Sequence, residues 1–133
     1  MIVVDTSVWI EAFRKGESAQ ARTLRSLLDA DEAALAVPVK VELLGGASVA
    51  QRPQLRRALS ALPMLYPSDE TWTLVDTWMD AAGRAGERFG VGDLLIAAMA
   101  RETDSLVWSL DSDFLRMERL GFVGLYEPET AGS

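Results

Sequence analysis

Five acidic residues stand out by where they sit: Asp5, Glu42, Asp93, Asp111 and Asp113. Asp5 closes the apolar run Ile2-Val3-Val4. Asp111 and Asp113 come just after Leu106-Val107-Trp108. Glu42 lies one turn into the segment after the apolar residues 34–37. Asp93 follows a glycine-flanked stretch and opens the run Leu94-Leu95-Ile96-Ala97-Ala98. In a parallel α/β sheet the ligand site lies beyond the carboxyl ends of the strands, so the topology directs all five acids toward one edge. Carboxylates gathered at one point repel one another, and a hard cation with oxygen ligands relieves that repulsion. Mg²⁺ or Mn²⁺ held by carboxylates and water keeps positions open for phosphate oxygens, and one or two such ions serve an in-line displacement at phosphorus.

Taken singly, each acid also has an ordinary structural reading. Asp5 with Thr6-Ser7 suits a helix N-cap, Glu42 a helix surface, Asp93 the favourable end of a helix dipole, and Asp111 and Asp113 a turn and a cap. Their common address is what separates them from other surface acids.

The rest of the composition narrows the chemistry further. The chain has no cysteine and no histidine. Disulfides, thiolate nucleophiles, Ser-His-Asp triads and zinc sites built on cysteine or histidine are therefore excluded, and acid–base or metal chemistry must rest on Asp and Glu. The net charge of −7 disfavours phosphate binding unless metal neutralises the acids or a local basic strip steers the ligand. Of the 13 basic residues only Lys15 and Lys40 are lysines. The basic residues fall in small groups, Arg14-Lys15, Arg22/Arg25, Arg52/Arg56/Arg57, Arg84/Arg88 and Arg116/Arg119, which read as solvated helix surfaces. At 133 residues, 49% of them hydrophobic, the chain is one domain's worth. No run approaches the roughly 20 apolar residues of a membrane span, and residues 1–5 have no basic leader, so the expected location is the cytoplasm.

The elements that must position the acids follow from apolar periodicity. Strands are expected at residues 1–5, 34–37, 64–66 and 106–108, with a fifth at 123–125. Helices are expected at 8–13, 19–30, from 39 onward, from Pro53, at 70–82 behind a Ser68 or Asp69 cap, from Asp93, and at 114–120. Gly45-Gly46 marks tight packing or a bend. Trp72, Trp78 and Trp108 fall on apolar stripes or a strand and read as core; Trp9, beside Asp5, suits core or a dimer interface. Short apolar strands alternating with helices give an α/β fold with a short, mostly parallel central sheet of four to five strands flanked by helices. One domain spans 1–128, and 129–133 form a flexible tail.

This arrangement resembles the PIN-domain family, especially VapC-type toxins. Val3-Val4-Asp5-Thr6-Ser7 is similar to the family's first motif, Val41-Glu42-Leu43-Leu44-Gly45 to its second, Gly92-Asp93-Leu94-Leu95-Ile96-Ala97-Ala98 to its third, and Ser109-Leu110-Asp111-Ser112-Asp113-Phe114 to its fourth, in order, from residue 2 to about 128. The resemblance implies an endoribonuclease dependent on Mg²⁺ or Mn²⁺, the toxin of a type II toxin–antitoxin module. It implies Asp5, Glu42, Asp93 and Asp111 as the catalytic quartet, with Asp5, Asp93, Asp111 and Asp113 toward metal, and Thr6 or Ser7 supporting Asp5 or a metal-bound water. It further implies an RNA substrate, a homodimer, and a cognate antitoxin whose tail covers the acidic groove. The alternative is a catalytically silent PIN-like binding domain, which loss of a quartet acid would signal; none is missing. A receiver-like phosphoacceptor domain would need an acid pair after the first strand and a late lysine. A flap-type DNA nuclease would need helical arches that this length cannot supply.

Overall fold

Four apolar runs become strands and seven segments become helices among residues 1–128, which the computed structural model describes. In chain order they are β1 (Ile2–Val4), α1 (Thr6–Arg14), α2 (Ala19–Asp29), β2 (Ala33–Ala36), α3 (Val37–Gly46), α4 (Arg52–Leu59), β3 (Met64–Leu65), α5 (Asp69–Arg84), α6 (Val91–Glu102), β4 (Leu106–Trp108) and α7 (Asp113–Arg119). The strands form one parallel sheet in the order β3-β2-β1-β4. Val3 pairs with Ala34 on one side and with Val107 on the other. Every residue of β2 is buried, as are Val3 and Val4, which is what a parallel strand covered on both faces requires.

Helix α6 is the middle of the molecule. Leu94 through Ala100 are all buried, and the helix packs against α3, α5, α7, β1 and β4. Its small residues Ala97, Ala98 and Ala100 let five neighbours approach it closely. None of the described helices is long and apolar enough to cross a membrane.

Two local devices set the ends of α5. Ser68 accepts from the Thr71 N–H, while Thr71 Oγ1 accepts from the Ser68 N–H at 2.9 Å, a reciprocal cap that starts α5. At the other end of α5, Gly86 takes φ +76°, its N–H reaches the Gly83 carbonyl, and the Glu87 N–H reaches the Ala82 carbonyl. This is the Schellman ending, which needs a left-handed residue and so favours glycine.

Several expectations shift. Helix α1 starts at Thr6, not Val8, with Asp5 as its N-cap residue. Helix α6 starts at Val91, so Asp93 is its third residue and not its first. The fifth strand shrinks to a single bridge between Val107 and Leu125, flanked by one hydrogen bond on each side. Gly45-Gly46 ends α3 without tight packing, since a Cβ on either would meet nothing within 4 Å. Trp78 and Trp108 are core, and Trp9 is buried, but Trp72 is 47% exposed. The core slot beside it is taken by Thr71, whose hydroxyl is satisfied by Ser68 and Glu102. Residues 129–133, expected as a tail, lie outside the described residues.

Candidate active site

The site is built where β1 and β4 end side by side. The Asp5 N–H donates to the Trp108 carbonyl at 2.9 Å, locking the two strand ends together. Asp5 itself is 6% exposed. It sits at the N-cap of α1 but makes no side-chain cap bond. Its Oδ2 instead accepts from the Ser7 hydroxyl at 2.9 Å and the Ser109 hydroxyl at 2.7 Å. With both hydroxyl protons so committed, the two oxygens lie 3.2 Å apart and act toward the backbone as acceptors only. Ser7 Oγ accepts the Leu110 N–H at 2.9 Å, and Ser109 Oγ accepts the Asp111 N–H at 3.0 Å. One carboxylate and two serines thus fix the turn that delivers Asp111.

Asp111 continues the chain of contacts. Its Oδ1 accepts the Asp113 N–H at 2.9 Å, opening α7. The capping role read from sequence and the site role coexist here, because a carboxylate has a second oxygen to offer. Ligand oxygens of Asp93, Asp111 and Asp113 all lie within 4.8 Å of one another.

Asp93 is half-buried, and its carboxyl is pushed up from 3.8 to about 6, first by burial and then by the charges of Asp5, Asp111, Asp113 and Glu42. All four of the other acids are therefore close enough to repel it. Glu42 lies beside the first turn of α6: a Cβ placed on Gly92 would stand 3.7 Å from Glu42 Oε1. Glu42 and Asp111 are exposed, Asp5 is buried, and Asp113 is intermediate. Beside Glu42, α1, α3 and α4 enclose an open groove of about 610 Å³ whose lining includes the exposed apolar residues Ile10 and Phe13.

Of the five acids named from sequence, Asp93, Asp111 and Asp113 come within 4.8 Å of one another, and Asp5 and Glu42 lie near enough to act on Asp93. Of the two supporting candidates, Ser7 bonds Asp5 and Thr6 does not: Thr6 Oγ1 is buried and without a partner among the described residues. Three contributors were given no site role from sequence. Ser109 follows β4 as directly as Asp5 follows β1, so the strand-end rule pointed to it. Arg116, read as a solvated surface residue, bonds Asp113 and Glu87 and stacks over Phe89 at 4.9 Å. Its i,i+3 spacing from Asp113 was the available signal. Nothing local marks Glu87.

Residues 2–120 match the family model described as PIN domain. The chain belongs to the PIN domain family. This PIN domain is 35% identical over 119 residues to VapC ribonuclease Mb1587 of Mycobacterium bovis and to Ribonuclease VapC11 of Mycobacterium tuberculosis, matches that span 86% of this chain and 89% of each relative. Its fold is similar to FitAcB from Neisseria gonorrhoeae (TM-score 0.79, 21% identity, 96% of this chain and 98% of that one). It is also similar to VapBC2 from Rickettsia felis, solved bound to a DNA fragment from their promoter (TM-score 0.77, 21% identity, 97% and 100%). At that identity the two structures speak for the PIN fold alone.

Proposed function

We propose that this PIN domain, spanning residues 1–128, is the ribonuclease toxin of a toxin–antitoxin pair and hydrolyses RNA phosphodiester bonds with the help of Mg²⁺ or Mn²⁺. The observation that carries this reading is the convergence of Asp93, Asp111 and Asp113 within 4.8 Å, with Asp5 and Glu42 close enough to raise the Asp93 carboxyl. The relatives at 35% identity are named ribonucleases, which supports RNA as the substrate class.

The donor set fits a hard divalent cation. It is all oxygen, it is crowded, and its mutual repulsion is relieved by positive charge. Asp5, Asp93, Asp111 and Asp113 would hold the ion, with Glu42 completing the catalytic quartet beside Asp5, Asp93 and Asp111. The chemistry supplied by the bound metal is activation of water and neutralisation of charge on the phosphoryl group. The chain's own contribution is orientation. Ser7 and Ser109 hold Asp5 Oδ2 and leave Oδ1 without a protein donor among the described residues. The Asp111–Asp113 turn fixes the spacing of two acids on one side, and α6 presents Asp93 from a rigid, buried helix on the other. For a chain of net charge −7, neutralisation of these acids also removes the main barrier to an RNA phosphate.

The partner reading rests on the groove beside Glu42. Ile10 and Phe13 give it apolar anchors, with Glu42 and Arg14 lining it as one charge of each sign, a surface suited to an antitoxin segment that carries apolar and charged side chains. We place the protein in the cytoplasm and expect a homodimer.

The test is cleavage of mixed total RNA by purified protein with Mg²⁺ or Mn²⁺, against EDTA and against Asp5→Asn and Asp93→Asn. Metal-dependent cutting lost in both variants is expected. No cutting with either metal would shift the reading to a silent binding domain.

A further inference from the structure

Arg116 is the one basic residue among the described residues that forms an ion pair with an acid of the site. It is anchored from three directions. One terminal nitrogen, Nη2, donates to Asp113 Oδ1, the other, Nη1, donates to Glu87 Oε2, and the guanidinium lies over the Phe89 ring. All three side chains of the ion-pair network are about one-third exposed, so the group is packed rather than waving in solvent. The anchor is itself built. The left-handed Gly86 ends α5 and turns Glu87 toward α7, and Phe89 packs edge-on against Phe122, which stacks on Trp78 of α5. Arg116 therefore ties the loop before α6 to the helix that carries Asp113.

We propose that Arg116 is a positioning residue for the acidic cluster, with Glu87 and Phe89 as its clamp, and that its role is to hold Asp113 in place beside Asp93 and Asp111. This inference rests on the reading of the cluster as a cation site. The guanidinium takes Oδ1 of Asp113, and the second oxygen has no protein donor among the described residues. A planar fork bonded to two carboxylates at once restricts Asp113 in a way that a mobile cation does not. A fixed carboxylate need not be ordered when the ion arrives, and groups that orient metal ligands typically contribute 10- to 100-fold to metal affinity. The opposing effect is also defined: a positive charge near the site repels a divalent ion. If repulsion outweighed orientation, removing Arg116 would tighten metal binding.

The experiment measures Mn²⁺ binding to the full chain by calorimetry, without RNA, for wild type, Arg116→Met, Arg116→Lys, Glu87→Gln and Asp113→Asn, with circular dichroism to follow folding. Arg116→Met is expected to raise the Mn²⁺ Kd about tenfold. Arg116→Lys should fall between it and wild type, because lysine keeps the charge but not the fork. Glu87→Gln, which leaves Arg116 in place, should weaken binding in the same direction by a smaller factor and serves if Arg116→Met does not fold. In the Asp113→Asn background, Arg116→Met should add nothing further. Unchanged or tighter binding in both Arg116→Met and Glu87→Gln would overturn the inference. So would a loss of equal size in the Asp113→Asn background, which would mean that Arg116 acts on the fold and not through Asp113. Wild type that binds no Mn²⁺ would instead bring down the cation reading and this inference with it.

Discussion

Replacing Asp93 by asparagine is expected to stabilise the metal-free protein while abolishing cleavage. Asp93 titrates near 6 in the folded chain against 3.8 as its ordinary value, pushed up by burial and by four neighbouring acids. A raised carboxyl means that the folded state holds its proton more tightly than the unfolded state does. Stability is therefore full below about pH 4, where both states are protonated, declines as pH rises through 6, and stays reduced above. A shift of about two units at 1.36 kcal/mol each sets an upper bound of about 3 kcal/mol. Asp93 is only half-buried, and solvent screening reduces this to about 1 kcal/mol. Asparagine carries no charge to repel, so Asp93→Asn should melt about 3–5 °C above wild type at pH 7.5 in EDTA. The gain should vanish toward pH 4. Added Mg²⁺ should reverse the order, because a ligand at 100 times its Kd stabilises the binding-competent form by about 2.7 kcal/mol and the variant has lost a carboxylate. Thermal melts from pH 4 to 8, with and without metal, decide the matter. A variant less stable than wild type at pH 7.5 in EDTA, or a gain that does not change with pH, would refute the repulsion argument.

Ser109→Ala should lower the cleavage rate and cost about 1.5–3 kcal/mol of stability, since it removes a donor to the Asp5 carboxylate and the acceptor for the Asp111 N–H; RNA cleavage and urea melts would check this, with Ser109→Thr expected to restore both. Gly86→Ala meets no steric obstacle but must adopt φ +76°, so denaturation should show a loss of about 1 kcal/mol. Thr71→Val removes half of the reciprocal cap and the donor to Glu102 at 2.6 Å; a loss of about 1–2 kcal/mol in denaturation, with metal-dependent cleavage retained, is expected.

The acids were legible because their logic is topological. Asp5 and Asp111 follow apolar strands, and strand ends in a parallel sheet share an edge. Asp93 was legible as an acid at the start of a helix, but its place was not. The helix begins two residues earlier at Val91, behind a Gly90 that supplies no side-chain cap, so no polar residue marks the boundary. Trp72 was misplaced because apolar spacing along α5 does not say which side chain wins a core position. Thr71 won it by satisfying its hydroxyl internally. The fifth strand is reduced to one bridge where a glycine lets the chain run close to β4. At Gly124 a Cβ would come within 2.8 Å of Leu106 Cδ2, so the chain passes β4 closely but pairs with it only at Leu125. Arg116 was half legible: its i,i+3 spacing from Asp113 is a local pattern, but its second partner, Glu87, is 29 residues away in sequence and no local pattern reports that pair.

The pairing of β1 with β4 also sets the order of events when the protein is made. Asp5 receives the Ser109 hydroxyl across 104 positions of chain. At about 5–20 residues per second, roughly 5–20 s of translation separate the two. A nascent chain that stops before β4 carries Asp5, Glu42 and Asp93, but neither Asp111 nor Asp113, and its first strand has no edge partner on that side. Closing so long a loop is slow even once the residues exist. The acidic centre therefore cannot be completed before residues 106–113 are made, and a fragment that ends short of them lacks two of its five acids. For a protein read as a destroyer of RNA, the chain on the ribosome lacks two of its five site acids until Asp111 and Asp113 are added.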